Sequence, residues 1–272
     1  MSASNTEDKR PTGLAWLKHQ RRRYIKKAGK RLIRGLAGFL GSQGLIEDKP
    51  VFGRRGFDFL QPFEDNWQTI KAELDEVLKF RDLVPAFHEI SPDQKKISTG
   101  DNWKTFVLFG FGQPLPQHCQ LTPHTARLLE QVPNIQTAWF SILKPGYHIP
   151  AHRGVTKGIL RCHLGLIVPK QAEKCRMRVA DEICVWQPGK AFVFDDTYEH
   201  EVWNDTDEER VILLFDYDRP MKFWGRVVNK TFLRLMRFTA YYQEPKKNIQ
   251  SAAERFAAAA RRAEANLEKM AD

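Results

Sequence analysis

Residues 150–169, PAHRGVTKGILRCHLGLIVP, combine a β-strand pattern with an incomplete metal-binding motif. The second half of the stretch is apolar except for Arg161 and His163, which lie two residues apart and therefore face the same side of a strand. His152 precedes the strand in a turn bounded by proline and glycine. Many mononuclear iron enzymes place an acidic ligand two residues after the first histidine, but Gly154 occupies that position here. The site is therefore either broken or built with one ligand fewer.

The strand pattern continues on both sides of this stretch and predicts the fold. Two helices, at 66–80 and 121–132, flank the first β-rich run, and Thr122 is predicted to cap the second helix. The short β-rich runs, broken by Gly, Pro and Asp, lie at 103–112, 134–146, 159–169, 175–196, 200–205 and 209–220. The sequence therefore predicts a mainly β protein with flanking helices, whose core is a jelly roll or cupin-like double-stranded β-helix.

Both ends of the chain are predicted to be helical. Residues 14–40 carry apolar residues at amphipathic spacing, and a linker containing Gly and Pro follows at 41–56. After Pro220, residues 221–242 have the pattern of a basic aromatic helix and residues 249–271 that of an alanine-rich charged helix. The predicted division is a basic amphipathic N-terminal segment (1–45), a β-rich domain (46–220) and a C-terminal helical extension (221–272).

The formal net charge of +10 comes from one segment. Residues 18–34 contain nine Lys or Arg and no acidic residue, and the rest of the chain is close to neutral. A basic amphipathic helix suits an anionic membrane surface; the alternative is a helix docked on its own domain with a solvated basic face. Nucleic acid is not expected as a partner, because the neutral remainder offers no second basic surface. The polar start, the lack of a long apolar run and the absence of CxxC pairs predict a cytoplasmic protein, peripheral on the inner face of the cytoplasmic membrane.

A second histidine and an arginine at the start of an apolar run extend the motif of the opening stretch. His200 follows His152 by 48 residues, a separation that lets opposite strands of a small β-barrel bring the two together. Imidazole suits iron, zinc, copper or nickel, so these ligands alone do not select the metal. Arg210 begins an apolar strand, where its charge needs an anionic partner. That partner is either a bound dicarboxylate, which a guanidinium grips with two hydrogen bonds, or a nearby acid such as Asp195 or Asp196.

Residues 135–220 closely resemble the aspartyl/asparaginyl β-hydroxylase family of Fe(II)- and 2-oxoglutarate-dependent oxygenases. The order and spacing of four motifs carry the resemblance: HRG at 152–154, LRCHLGLIVP at 160–169, FDDTYEHEVWND at 194–205 and RVILLFD at 210–216. It is weaker over residues 57–134 and absent from the basic N-terminal helix. Peptidyl members of the family resemble this chain in having glycine where other 2-oxoglutarate oxygenases carry a carboxylate ligand, so Gly154 is a family feature.

The resemblance implies a role for each matching residue. It implies that His152 and His200 alone hold the iron and that Asp196 holds a water bound to the metal. Toward 2-oxoglutarate, Arg210 matches the residue that grips the distal carboxylate and Ser141 matches its hydroxyl partner. Arg161 and His163 match residues that line the cosubstrate pocket. The implied reaction uses O2, converts 2-oxoglutarate to succinate and hydroxylates an unactivated C–H bond, with ascorbate supporting activity.

The substrate is the least determined part of the resemblance. Family members hydroxylate Asp or Asn in proteins, acyl chains of lipid A or ornithine lipids, or small amino-acid derivatives. The basic segment 14–40 and the aromatic extension after Pro220 favour the acyl chain of a membrane lipid, and Gly154 fits an ornithine lipid better than lipid A. A peptidyl aspartate/asparagine hydroxylase is the alternative, and Gly154 resembles those enzymes. A non-catalytic cupin-like binding protein is the second alternative.

Overall fold

The structure, a computed structural model, describes residues 35–54 and 56–271. Most of the predicted helix 14–40 and of the segment 1–45 lies outside these residues, and within them residues 35–42 are helical. Seven further α-helices are α1 (Gln61–Asp65), α2 (Trp67–Leu78), α3 (Phe87–Ile90), α4 (Pro116–Leu121), α5 (Pro123–Glu130), α6 (Phe223–Met236) and α7 (Ala240–Ala271). Short 3-10 turns lie at Asp58–Leu60, Arg81–Leu83, Pro92–Gln94 and Ala172–Lys174.

Two antiparallel sheets form the centre of the protein. Their strands are β1 (Val51–Phe52), β2 (Trp103–Gly110), β3 (Gln113–Pro114), β4 (Ile135–Leu143), β5 (His148–His152), β6 (Ile159–Ile167), β7 (Cys175–Val179), β8 (Glu182–Val185), β9 (Ala191–Phe194), β10 (His200–Asn204) and β11 (Arg210–Asp218). The larger sheet has the order β1-β9-β6-β11-β4-β2-β3 and the smaller one the order β5-β10-β7-β8. From β4 to β11 the chain crosses repeatedly between the sheets, which is the topology of a jelly roll. The predicted fold class is confirmed.

Alternating strand residues divide the core into two layers. Leu213 and Phe215 of β11 pack with helical residues such as Leu74 on the outer face of the larger sheet. Ile212 and Leu214 point the other way, into the space between the two sheets. Because neighbouring side chains of a strand face opposite sides, one apolar strand fills both layers. The site described below lies in the layer between the sheets.

The predicted helix 66–80 is confirmed as α2, but the predicted cap of α5 is wrong. Thr122 occupies the residue before α5, yet its hydroxyl donates to the main-chain carbonyl of His118 at 3.2 Å. Glu73 of α2 takes the capping role instead: its carboxylate accepts hydrogen bonds from the main-chain nitrogens of His124 (2.6 Å) and Thr125 (2.8 Å). A carboxylate at this end also complements the positive end of the helix dipole.

The two C-terminal helices meet earlier than the sequence predicts. The break falls at 237–239, where the Thr239 hydroxyl donates to the Met236 carbonyl at 2.6 Å and satisfies an acceptor at the end of α6. Pro245 lies inside α7, which runs on into the core of the domain. There Phe256 packs edge-on against Phe80 and Phe106, with ring centroids 6.0 and 5.0 Å apart. The extension therefore shares the core of the β-rich domain.

Candidate active site

His152 and His200 meet at the edge of the smaller sheet. They are paired across strands β5 and β10, and their ring centroids are 4.1 Å apart. In each ring Nδ1 lies close to a main-chain carbonyl two residues earlier, at 2.8 Å from Pro150 O and 2.9 Å from Tyr198 O. A hydrogen bond from Nδ1 to a carbonyl leaves Nε2 with a free lone pair and fixes the ring orientation. The structure therefore brings together the two residues predicted as metal ligands, with Nε2 of each ring available as a donor to a metal ion.

Burial keeps both imidazoles neutral. It lowers the pKa of His152 below its usual value, and it lowers the pKa of His200 to about 3, with the neighbouring His152 adding to the effect. Only a neutral imidazole can donate its lone pair to a metal ion. At neutral pH the pair is therefore ready to coordinate without first losing a proton.

Gly154 and Asp196 fit together in a way that explains the missing ligand. A Cβ atom on residue 154 would overlap the carboxylate carbon and both carboxylate oxygens of Asp196. The Gly154 main-chain nitrogen also donates to the Asp196 main-chain carbonyl at 2.6 Å. The space in which a carboxylate ligand would begin is thus filled by the carboxylate of a different residue, and only glycine leaves room for it.

The Asp196 carboxylate is buried beside the two histidines. Its side chain is almost fully enclosed, Oδ1 has no hydrogen-bond partner, and Oδ2 lies 3.4 Å from Nη2 of Arg161. Burial raises the pKa of Asp196 above the usual aspartate range. A cation held by the two imidazoles would favour the ionised form. An unpartnered acceptor at this point suits a water beside the metal.

We expect Gly154→Ala to be strongly destabilising through contact with Asp196. Overpacking of this kind costs about 1–3 kcal/mol of unfolding free energy. In an Asp196→Ala background the same substitution should cost little, because the carboxylate that it meets is gone. A double-mutant cycle followed by urea unfolding measures the difference. Equal costs of Gly154→Ala in both backgrounds would mean that the contact is not what requires glycine.

The donor set fits a metal held by few protein ligands. Within the described part of the chain, no three His, Cys, Asp or Glu side chains are grouped to hold a metal ion. The two imidazoles, the unpartnered oxygen of Asp196 and the space at Gly154 instead suit an ion whose other positions are filled by small molecules. Oxygenase iron sites need such open positions.

Arg210 lies at the start of β11, deep between the sheets. Its side chain is 1% exposed, its guanidinium lies over the Trp186 ring at 4.7 Å from the centroid, and Nη1 lies 3.5 Å from the Ser141 hydroxyl. Burial lowers the pKa of Arg210 to about 10. Its Nε has no hydrogen-bond partner. This buried cation can therefore receive an anion.

The alternative that Arg210 pairs with Asp195 or Asp196 is wrong. Asp195 is bound by Arg219 and by Lys157 at 3.1 Å, and Asp196 lies beside another arginine. Among the described residues, none forms an ion pair with Arg210. A guanidinium buried at this depth without a carboxylate is costly unless a ligand supplies the negative charge.

His163 is a second buried group without a partner. Both of its ring nitrogens lack hydrogen bonds, and its ring packs against Trp186, Phe192 and Phe194 at centroid distances of 6.0, 5.5 and 4.9 Å. Burial, followed by the charge of Arg210, lowers the pKa of His163 well below its usual value. His163 and Arg210 are thus neighbouring buried groups with unsatisfied nitrogens, which a small dianion would satisfy.

Arg161 is engaged by carboxylates of the protein itself. Its Nε and Nη2 bind the two oxygens of Asp216 at 2.7 and 2.9 Å, and Asp216 also accepts from the Thr137 hydroxyl. These contacts orient Arg161 toward Asp196, so its visible role is to position that carboxylate. Asp216 is absent from the sequence-based predictions. The sequence feature that could have identified Asp216 is an acidic residue inside an apolar strand, β11, which pairs with the strand that carries Arg161.

Two tryptophans were also missed by the sequence reasoning. Trp103 donates from Nε1 to the Ser141 hydroxyl at 2.9 Å, and Trp186 is fully buried against Arg210 and His163. Both look like ordinary core residues in the sequence. Only the contacts assign them to the site.

A cavity of about 300 Å³ opens from the two histidines. His152, Gly154, Arg161, Asp196 and His200 line it at one part, and residues of α6 and α7 line it elsewhere. Ser141, His163 and Arg210 are not among the residues that line this cavity.

Comparisons with known proteins agree with this geometry. Residues 64–220 match the family described as aspartyl/asparaginyl beta-hydroxylase. An ornithine lipid ester-linked acyl 2-hydroxylase from Rhizobium tropici is 43% identical over 215 residues, or 79% of this chain and 76% of that protein. Human aspartyl/asparaginyl beta-hydroxylase is 34% identical over 168 residues, or 60% of this chain and 21% of the human protein.

Among solved structures, a prolyl-4-hydroxylase from Pseudomonas putida aligns over 57% of this chain and 88% of its own, with a TM-score of 0.36 and 19% identity. That similarity is too low to support a comparison of function. The family match, in contrast, covers more than half of the chain, and the R. tropici protein matches over most of both chains. The chain therefore belongs to the aspartyl/asparaginyl β-hydroxylase family of hydroxylating enzymes.

Proposed function

We propose that this protein is an Fe(II)- and 2-oxoglutarate-dependent dioxygenase that hydroxylates the acyl chain of a membrane lipid. The favoured lipid is an ornithine lipid. The oxygenase chemistry is supported by one observation above all: two neutral histidines lie beside a buried carboxylate with one unpartnered oxygen, and deeper between the sheets lies a buried arginine that has no ion-pair partner among the described residues. The lipid is supported by the R. tropici relative, which acts on ornithine lipid. Lipid A is the other lipid that the sequence suggests.

The residues of the site would have different roles in binding the metal and the cosubstrate. Bound Fe(II), 2-oxoglutarate and O2 supply the oxidising power for C–H hydroxylation. His152 and His200 would hold the metal, and Asp196 would accept a hydrogen bond from a bound water. Arg210, with the Ser141 hydroxyl, would bind one carboxylate of 2-oxoglutarate, and His163 would donate a hydrogen bond to the other.

The aromatic residues around these groups exclude bulk water. Trp186 and Phe194 are fully buried next to the polar atoms of His163, and Trp103 shields the Ser141 hydroxyl. A dry site strengthens the ion pair between Arg210 and a carboxylate and protects the reaction from side products.

Mass spectrometry of two parallel reactions tests the proposal. Both contain Fe(II), ascorbate and 2-oxoglutarate; one adds a bacterial membrane lipid extract and the other a pool of peptides rich in Asp and Asn. We expect one added oxygen on an ornithine lipid with the natural protein and none with His200→Ala. Oxygen on peptides alone would contradict the lipid assignment.

A peptidyl aspartate/asparagine hydroxylase is the second candidate. It is favoured by Gly154 and by the human relative, which is 34% identical over the catalytic region. Such an enzyme should tolerate deletion of residues 1–34, which retains the buried Leu40 and the contact of Gln43 with α6, whereas a lipid hydroxylase anchored through that segment should lose activity on membranes. Conversion of 2-oxoglutarate to succinate would exclude a non-catalytic binding protein in either case.

We also propose that the enzyme works as a peripheral protein on an anionic membrane surface, the inner face of the cytoplasmic membrane. No helix in the described part of the chain is long and apolar enough to cross a bilayer. Helix α6 presents large exposed apolar side chains, including Trp224 (65% exposed) and Leu235 (62%), and Phe238 (85%) follows it. Residues 221–243 contain five Lys or Arg and no acid. This combination of aromatic and cationic residues suits a lipid interface.

We expect the double variant Trp224→Ala/Leu235→Ala to bind anionic vesicles at least about tenfold more weakly, because burying a large apolar side chain contributes about 1.5–3 kcal/mol. Sedimentation with vesicles of phosphatidylglycerol and phosphatidylcholine measures the bound fraction. Ile183→Ala is the matched control, since Ile183 is also exposed (57%) but lies on strand β8. Equal binding of the double variant and the natural protein would remove α6 from the membrane contact.

A further inference from the structure

The cavity at the active site is closed on one side by the C-terminal helices. It begins at His152 and His200 and continues to Phe232, Leu233 and Met236 of α6. All three α6 residues are half-buried and line the cavity. The cavity that begins at the two histidines therefore extends to a wall formed by α6, which lies outside the jelly roll.

The wall of the cavity opposite α6 is apolar. It consists of Val107, Phe109 and Phe111 from β2 and the residue after it, and Phe111 packs against Tyr242 of α7 with ring centroids 3.8 Å apart. Away from the catalytic residues, aliphatic and aromatic side chains dominate the lining. Such a lining offers little to a peptide main chain, which needs hydrogen-bond partners, but it suits a flexible apolar chain.

Two close contacts hold α6 in this position. The Asn229 side-chain amide donates to the Gly158 carbonyl at 2.9 Å, and a Cβ atom on residue 158 would overlap that amide. Near the start of the helix, a Cβ atom on Gly225 would lie 2.5 Å from the Cβ atom of Gln43. Since Gly158 closes the loop that carries Gly154, the wall of the cavity is tied to the metal-binding loop.

The other side of α6 faces outward and carries exposed apolar residues, Trp224 and Val227 among them. Arg237, which follows the helix, is exposed and also lines the cavity, and it forms no ion pair with any residue that the structure describes. A helix with apolar side chains toward the cavity and also toward the outside, with a cation beside the opening of the cavity, matches a lipid whose headgroup carries an acid, such as the carboxylate of an amino acid.

We infer that the cavity between α6, α7 and β2 binds one acyl chain of the lipid substrate, and that the C-terminal helices, not the jelly roll, select lipid over peptide. This inference rests on the proposed function and adds to it the residues that recognise the substrate. The family match ends at residue 220, so every residue of the α6 and α7 walls lies beyond the region that defines the family.

Two tryptophan substitutions on opposite faces of α6 test this inference. Leu233→Trp fills the cavity, whereas Leu235→Trp places the same side chain on the exposed face. The probe is N-dodecanoyl-ornithine, a soluble single-chain lipid, and its binding to the full-length protein is followed by calorimetry. We expect at least tenfold weaker binding with Leu233→Trp and no more than a twofold change with Leu235→Trp. If Leu233→Trp does not fold, as judged by its thermal unfolding, Met236→Trp replaces it.

The outcomes separate this inference from the proposed function. Equal affinities of the two variants, or no binding of the probe by the natural protein, would overturn the acyl-chain site even if lipids are hydroxylated. Binding that depends on Leu233, without any oxygen added to lipid, would support the site and contradict the proposed reaction.

Discussion

Replacing His200 by alanine is expected to abolish hydroxylation and iron binding together. Among the described residues, His152 and His200 are the two imidazoles paired at the metal site, with ring centroids 4.1 Å apart. Loss of groups that merely orient a ligand already costs roughly 10–100-fold in metal-dependent activity, so loss of one of two direct ligands should cost more than about 10³-fold. Product is measured by mass spectrometry, and iron content by metal analysis of protein reconstituted without oxygen.

His148→Ala is the matched control for this prediction. His148 lies on the same strand as His152, but its ring stacks on Trp203 at 5.1 Å and its Nε2 lies 3.2 Å from a Glu201 carboxylate oxygen. Because these contacts are outside the cavity, we expect activity within about twofold of the natural protein. Retention of stoichiometric iron and full turnover by His200→Ala would show that the metal ligands have been assigned wrongly.

Arg210→Met is expected to raise the KM for 2-oxoglutarate about a hundredfold, with activity partly restored at high cosubstrate concentration. Two hydrogen bonds between a guanidinium and a carboxylate contribute about 3 kcal/mol, which corresponds to roughly that factor. In the absence of 2-oxoglutarate the variant should be as stable as the natural protein or more so, because it removes a buried charge that has no ion-pair partner among the described residues. Thermal unfolding with and without 2-oxoglutarate, together with succinate assays, measures both effects.

Arg219→Met provides the contrast, because Arg219 is equally buried but paired. It binds Asp195, which is itself fully enclosed, so the substitution leaves a buried carboxylate with less compensation. We expect a loss of about 3 kcal/mol in unfolding free energy and little change in the KM for 2-oxoglutarate. If Arg210→Met instead destabilised the protein as much as Arg219→Met does, Arg210 would be a structural cation and not a cosubstrate ligand.

The sequence alone predicted the strands, the fold class and the family. Apolar alternation in β6 and β11 identifies strands without reference to any other part of the chain, since side chains of a strand alternate with a period of two residues. The same period placed Arg161 and His163 on one face. Local sequence reasoning failed at the start of α5, where Thr122 was predicted as the cap. Glu73, which is distant in sequence, caps this helix instead.

The tertiary structure decided which residues meet. The pairing of His152 with His200 depends on the register between β5 and β10, and the need for glycine at 154 depends on where the Asp196 carboxylate packs. The pairing of Arg161 with Asp216 likewise joins distant parts of the chain, as does the wall that α6 adds to the cavity. The tertiary structure also decided that Arg210 has no ion-pair partner among the described residues. The periodicity of a sequence shows only which residues of one helix or strand share a face. Contacts across sheets depend on strand register and on side-chain volume, which only the folded chain determines.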